Sequence, residues 1–96
     1  MEFTEQKQML LDKANCLLKF VKQKEMFGGI HDVMDDEHIK ALEEWLIDAI
    51  NFVEKYGDCS INNDFKANTW IINGERVCVE RINKILSIIE NIEENS

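Results

Sequence analysis

Imidazole, thiolate and carboxylate are the usual ligands of zinc, and His31, His38, Cys59, Cys78 and the run Asp35-Asp36-Glu37 supply all three. A dedicated site needs them at close, regular spacing. Here His31 and His38 straddle the start of a helical pattern, and neither cysteine has a cysteine or histidine partner two to four residues away, so the spacing predicts no metal site. Asp58, Ser60, Asn62 and Asp64 place oxygen ligands at alternate positions, as an EF-hand calcium loop does. The match fails at the two diagnostic places. Asn63 stands where the loop needs glycine for its sharp turn, and Thr69 stands where it needs a bidentate glutamate.

Nucleophilic chemistry fares no better. A thiol nucleophile needs a base, and the pairing open to Cys16 is with His31 or His38. Cys16 sits in the middle of a helical pattern beside its apolar stripe, where a thiol is more often inert than activated. Gly28-Gly29 is an isolated pair with no Gly-Lys-Ser or Gly-Lys-Thr after it, so no phosphate loop is present. Trp70 with Arg76, Arg81 and Lys84 suggests a nucleic-acid surface, but Glu75, Glu80 and Glu90 share the window and cancel it. The residue types therefore predict no catalytic residues, no metal and no cofactor, and a protein that is not an enzyme.

Charge points instead to a surface. The net charge is −8. Residues 1–34 balance five acids against five lysines, residues 35–64 carry nine acids against Lys40 and Lys55, and residues 65–96 carry five acids against four bases. The excess lies almost wholly in the middle third. Such a field repels nucleic acid and anionic membrane and attracts basic partners. No segment approaches the roughly 18 consecutive apolar residues of a membrane span, and the N-terminal residues lack a basic region followed by an apolar run. Three cysteines, an odd number without a Cys-x-x-Cys pair, read as small apolar core residues in a reducing compartment. The expected location is cytoplasmic.

With 96 residues, 45% of them apolar, the chain suits one folded domain rather than two cores. Its elements follow from periodicity. Leu10, Ala14, Leu17 and Val21 recur at helical steps and predict a first helix over about 4–26, capped by Thr4 and stopped by Gly28-Gly29. Ile39, Leu42, Leu46, Ala49, Val53 and Tyr56 predict a central helix over about 36–56, capped by Asp35 or Asp36, with Gly57 as the left-handed residue after its last turn. Trp45 and Phe52 fall one step beside that stripe. Residues 58–68 show no period and many turn formers, and read as a loop. Residues 69–77 hold β-prone runs around Asn73-Gly74 and predict a hairpin closed by a type I′ turn. Ile82, Ile85, Ile89 and Ile92 predict a last helix over about 79–93.

The fold class expected is mainly α, three helices with a small β-hairpin. The alternative is an all-α three-helix domain whose last helix starts at Asn73. The central helix carries Glu37, Glu44, Asp48, Asn51 and Lys55 opposite its apolar face, so helix and acidity coincide. The function this predicts is a small acidic protein-interaction domain, a regulator or inhibitor in the size class of phage inhibitors, antitoxins and immunity proteins. It would meet a partner protein's basic surface through Glu37, Glu44, Asp48, Asn51 and Glu54, with Trp45 added if folding leaves it exposed. The residue usage, rich in Ile, Lys, Glu and Asn, fits an AT-rich bacterial or phage genome. One alternative is a homo-oligomer, a homodimer first of all, that buries apolar positions of the first and last helices against a second copy. The other is a small-ligand binder or an enzyme, which needs an enclosed pocket with convergent polar groups.

Overall fold

The computed structural model describes residues 2–94. Its elements in chain order are α1 (Phe3–Leu18), β1 (Lys22–Met26), β2 (Gly29–Val33), α2 (Asp36–Tyr56), α3 (Cys59–Lys66), β3 (Ile72–Asn73), β4 (Arg76–Val77) and α4 (Val79–Asn91). The strands form one antiparallel sheet in the order β1-β2-β4-β3. The molecule is mainly helical, as the periodicity predicts, but it has one more helix and two more strands among the described residues than the sequence suggests. The sheet also rules out the all-helical alternative.

The first helix is shorter than 4–26. Its apolar stripe ends at Val21, and the next positions on that face are Lys24, Glu25 and Gly28, so a continued helix would bury nothing. Bonds from Lys19, Phe20 and Val21 back to the carbonyls three residues earlier tighten and end the last turn. Residues 22–26 then pair with 29–33 in register from Lys22↔Val33 to Met26↔Gly29. The two residues left between Met26 and Gly29 are Phe27, φ 51°, and Gly28, φ 76°. Two positive φ values in a two-residue loop make a type I′ turn, so Gly28-Gly29 closes a hairpin and does not stop a helix. At the other end Glu2, not Thr4, is the N-cap, and its side chain makes no capping bond.

The central helix spans the residues expected. Asp35 caps it by accepting the His38 backbone N–H. Gly57 differs from expectation, with φ −89° and ψ 149°, an extended conformation open to any residue. Close packing is what requires glycine there, since a Cβ would stand 2.8 Å from both Ile61 Cγ2 and the Val53 carbonyl oxygen. Residues 58–68 are not a loop: Asp58 accepts the Ile61 N–H at 2.8 Å and starts α3, which buries Phe65. The polar run that hides this helix from periodicity supplies its caps. Asn62 Nδ2 lies within bonding reach of the Val53, Gly57 and Asp58 carbonyls.

The expected hairpin near 69–77 is β3–β4, with Ile72↔Val77 and Asn73↔Arg76 in register. Gly74 and Glu75 occupy its turn, and Gly74 alone takes a positive φ of 64°, the pattern of a type II′ turn in place of I′. Chain pairing thus moves the turn one residue along from Asn73-Gly74.

The core is helical. Leu10, Ala14 and Leu17 of α1 meet Leu42, Trp45, Ala49 and Val53 of α2, and Ile82, Ile85 and Ile89 of α4 complete it. The central helix is rotated from the expected stripe: Trp45 and Ala49 are fully buried and Phe52 is buried, while Leu46 is only half-buried. Phe3, Phe52 and Tyr56 close one end, with ring centroids 4.8 to 5.5 Å apart. Lys7 Nζ donates to the Ile92 carbonyl at 2.9 Å, satisfying the end of α4 where the helix dipole favours a cation. From this bundle the β1–β2 hairpin projects with Lys22, Gln23, Lys24 and Glu25 of β1 exposed, within overall extents of 50 × 24 × 16 Å.

Candidate functional site

The outer face of α2 is held in place by the core on its other side. Glu37, Glu44, Asp48, Asn51 and Glu54 are all exposed, and they run over about 25 Å of helix at 1.5 Å per residue. Among the described residues the ion pairs of lysine with carboxylate are Lys24–Glu75 and Lys84–Glu80, and the His38 ring meets Asp35, so none of these α2 carboxylates is neutralised by a side-chain partner. Lys40 and Lys55 share the face, and Lys55 Nζ lies 5.1 Å from the Tyr56 ring centroid. Trp45 is fully buried, with its indole N–H on the Leu10 carbonyl, and drops out of the surface.

The apolar residue on that face is Ile47, 59% exposed. At 100° per residue its neighbours on the helix surface, the residues three, four and seven positions away, are Glu43, Glu44, Asn51 and Glu54 together with Lys40 and the half-buried Ile50. Its signal in the sequence is an isoleucine interrupting a polar stripe. An aliphatic side chain beside three carboxylates can supply contact energy, while the acids steer a basic surface towards it.

The start of the helix is a clasp. His38 Nδ1 lies 2.5 Å from Asp35 Oδ1, and the His38 ring stacks on Phe20 with centroids 3.9 Å apart. The His38 backbone N–H first, and its ring second, hold the Asp35 carboxyl below the usual aspartate range. His31 lies elsewhere, edge-on to Phe27 at 6.3 Å, so the structure does not bring the two histidines together. Asp58 and Asn62 are engaged in capping α3, and Ser60 and Asp64 lie exposed along that helix. Cys16 and Cys59 are exposed and Cys78 is half-exposed, which overturns the expectation of core thiols.

A second surface lies at the sheet. Strands β2 and β4 pair only at Val33↔Arg76 and then diverge, leaving an open groove between Ile30–Asp32 and the β4–α4 junction. Ile30 (69% exposed) and Trp70 (78%) line it, and Phe27 (85%) sits at the hairpin tip, its ring 5.5 Å from the Arg76 guanidinium carbon. Of the apolar positions on the first and last helices, Leu10, Ala14, Leu17, Ile82, Ile85 and Ile89 lie in the core, while Met9 is exposed.

Fold and surface together define a mainly helical domain with a small antiparallel sheet and two exposed faces of contrasting character, one acidic and one apolar. No protein-family model, no curated protein and no solved structure matches the chain. No helix among the described residues is long and apolar enough to cross a membrane.

Proposed function

We propose that this protein is a non-catalytic interaction domain, a regulator or inhibitor that docks the outer face of α2 on a basic surface of a partner protein. The observation that supports it is Ile47, exposed beside Glu43, Glu44, Asn51 and Glu54 on a helix whose other side is the core. A rigid helix face loses little conformational freedom on binding. Unpaired carboxylates give long-range attraction that raises the association rate and fades with salt.

The test is capture of partners from the source cell by the wild-type protein, by Glu44→Lys/Asp48→Lys and by Ile47→Ser, followed by affinity measurement on the captured protein. The charge-reversed protein is expected to lose association rate most strongly at low salt, and Ile47→Ser to dissociate faster. Binding unchanged by charge reversal at low salt would sink this reading.

A further inference from the structure

We propose that Asn73-Gly74 is a site of spontaneous covalent modification, where the Gly74 backbone nitrogen attacks the Asn73 side-chain carbonyl and the asparagine becomes isoaspartate or aspartate. The site lies at the β3–β4 turn, away from the acidic helix, and stands or falls without it.

The reaction needs nothing beyond the chain and water. The Gly74 nitrogen gives its proton to solvent and bonds to Cγ of Asn73, closing a cyclic imide. The Cγ–Nδ2 bond breaks, and Nδ2 takes up a proton and leaves as ammonia. Water then opens the ring. Cleavage at the main-chain carbonyl routes the chain through Cγ and leaves isoaspartate, whereas cleavage at Cγ leaves aspartate. Nothing is oxidised or reduced. Either product replaces a neutral amide with a carboxylate, so the net charge of −8 becomes one unit more negative.

Three observations favour Asn73 over the other asparagines, a residue type that is thermolabile in general. The first is its successor. Gly74 has no side chain to shield the attacking nitrogen, and the space that a Cβ would occupy is open. No other asparagine in the chain precedes a glycine.

The second is a free nucleophile. Asn73↔Arg76 is the ladder pair next to the turn, so Gly74 lies outside the ladder, and no turn bond among the described residues uses its N–H. Asn15, Asn51, Asn62, Asn63, Asn83 and Asn91 lie in helices, where the following N–H is committed to a carbonyl one turn back. The third is the leaving group. The Asn73 side chain is exposed and its amide makes no hydrogen bond among the described residues. Asn62, Asn68 and Asn91 donate theirs to backbone carbonyls. Asn68, outside the helices, also precedes a β-branched threonine.

The two products act differently on the sheet. Aspartate keeps the backbone as it is. Isoaspartate adds a carbon to the main chain and turns the main-chain carbonyl of residue 73 into a free carboxylate. That change falls on the Asn73↔Arg76 pair, and Arg76 also forms the Val33↔Arg76 pair that joins β2 to β4. The Met34 N–H, which donates to the Glu75 carbonyl at 2.9 Å, reports on this junction.

The experiment ages the full chain in mildly alkaline buffer, with circular dichroism confirming that it and each variant stay folded. Peptide mass spectrometry maps the modified residue, and an isoaspartate-specific methyltransferase counts the isomer. Wild type is expected to accumulate a more acidic species on anion exchange, modified at Asn73 before any other asparagine, and Gly74→Ala and Asn73→Gln to lose most of it. Hydrogen exchange then compares the purified isoaspartate species with Asn73→Asp. Protection of the Met34 N–H should fall in the first and persist in the second. Conversion in urea but not in buffer overturns the proposal, because the folded turn then protects the site. So does another asparagine reacting first, or an unchanged rate in Gly74→Ala. Full Met34 protection in the isoaspartate species overturns the consequence for the sheet.

Discussion

The Trp45 indole N–H donates to the Leu10 carbonyl at 2.9 Å, joining α2 to α1 in the middle of the core. The ring is fully buried, so it fills volume and satisfies its polar atom in one placement. Trp45→Phe should cost about 1–2 kcal/mol, from the lost bond and a small void. Trp45→Ala should cost about 3–5 kcal/mol, a large share of the ~5–15 kcal/mol that a domain possesses. Urea unfolding followed by circular dichroism measures both. Equal losses would mean that the hydrogen bond, not the ring volume, dominates.

Gly57 is required by space. Its φ suits any residue, but a Cβ would meet Ile61 Cγ2 and the Val53 carbonyl oxygen at 2.8 Å. The Ile61 side chain can shift, whereas the Val53 carbonyl oxygen is held by the Gly57 N–H at 2.8 Å. Gly57→Ala should destabilise by about 1–3 kcal/mol through overpacking between α2 and α3. A neutral result in the same unfolding assay would show that the α2–α3 junction repacks freely.

Asp35 makes stability depend on pH in a defined direction. Its carboxyl is held below the ordinary aspartate value of about 3.9 by the His38 backbone N–H and then by the His38 ring. A carboxyl with a lowered folded-state pKa contributes in full above the unfolded value, and the contribution disappears as pH falls through the folded value. Asp35→Asn keeps a capping oxygen but does not titrate. Thermal melts should therefore show wild type ahead of Asp35→Asn at neutral pH and level with it in strong acid. A gap independent of pH would rule out titration of this group as the cause.

Phe27→Asn should stabilise the monomer. Asparagine tolerates the left-handed region that costs a bulky residue about 1 kcal/mol or more, and the contact forfeited with Arg76 is an exposed cation–π pair of ~0.5–1 kcal/mol. The expected net gain is roughly 0.5 kcal/mol, read by chemical unfolding at the lowest working concentration. A loss of stability there would show that the ring supports the hairpin within one chain.

The thiols should separate by accessibility. Cys16 and Cys59 are exposed and Cys78 is half-exposed. Brief treatment of the folded protein with a maleimide, followed by intact mass, should give mainly two adducts, with the third appearing on longer exposure. Rapid modification of all three would mean that the β4–α4 junction opens readily.

How much of this was legible in the residues depends on whether a signal is local. The ends of α2, its Asp35 cap and the α4 stripe of Ile82, Ile85 and Ile89 lie within one stretch of chain, where periodicity and capping act, and they stand as the sequence predicts. The acidic face is equally local, because Glu37, Glu44, Asp48, Asn51 and Glu54 lie opposite the core-facing residues of one helix. Strand β1 is another matter. Lys22–Met26 has no apolar alternation of its own and becomes a strand only through pairing with Gly29–Val33 across a Phe27-Gly28 turn. Helix α3 escaped for a related reason, since its eight residues bury only Phe65 and its polar residues serve as caps.

The sequence by itself determined where the helical face and the charge excess lie, because both are set by residue spacing along a single helix. Tertiary structure decided which side chains of that helix the core takes: packing against Leu10 and the α1 backbone drew Trp45 inward, and Ile47 was left among the acids. It also decided that Phe27, Ile30 and Trp70 share one end of the molecule, since strands distant in sequence meet there through a sheet that no local pattern specifies.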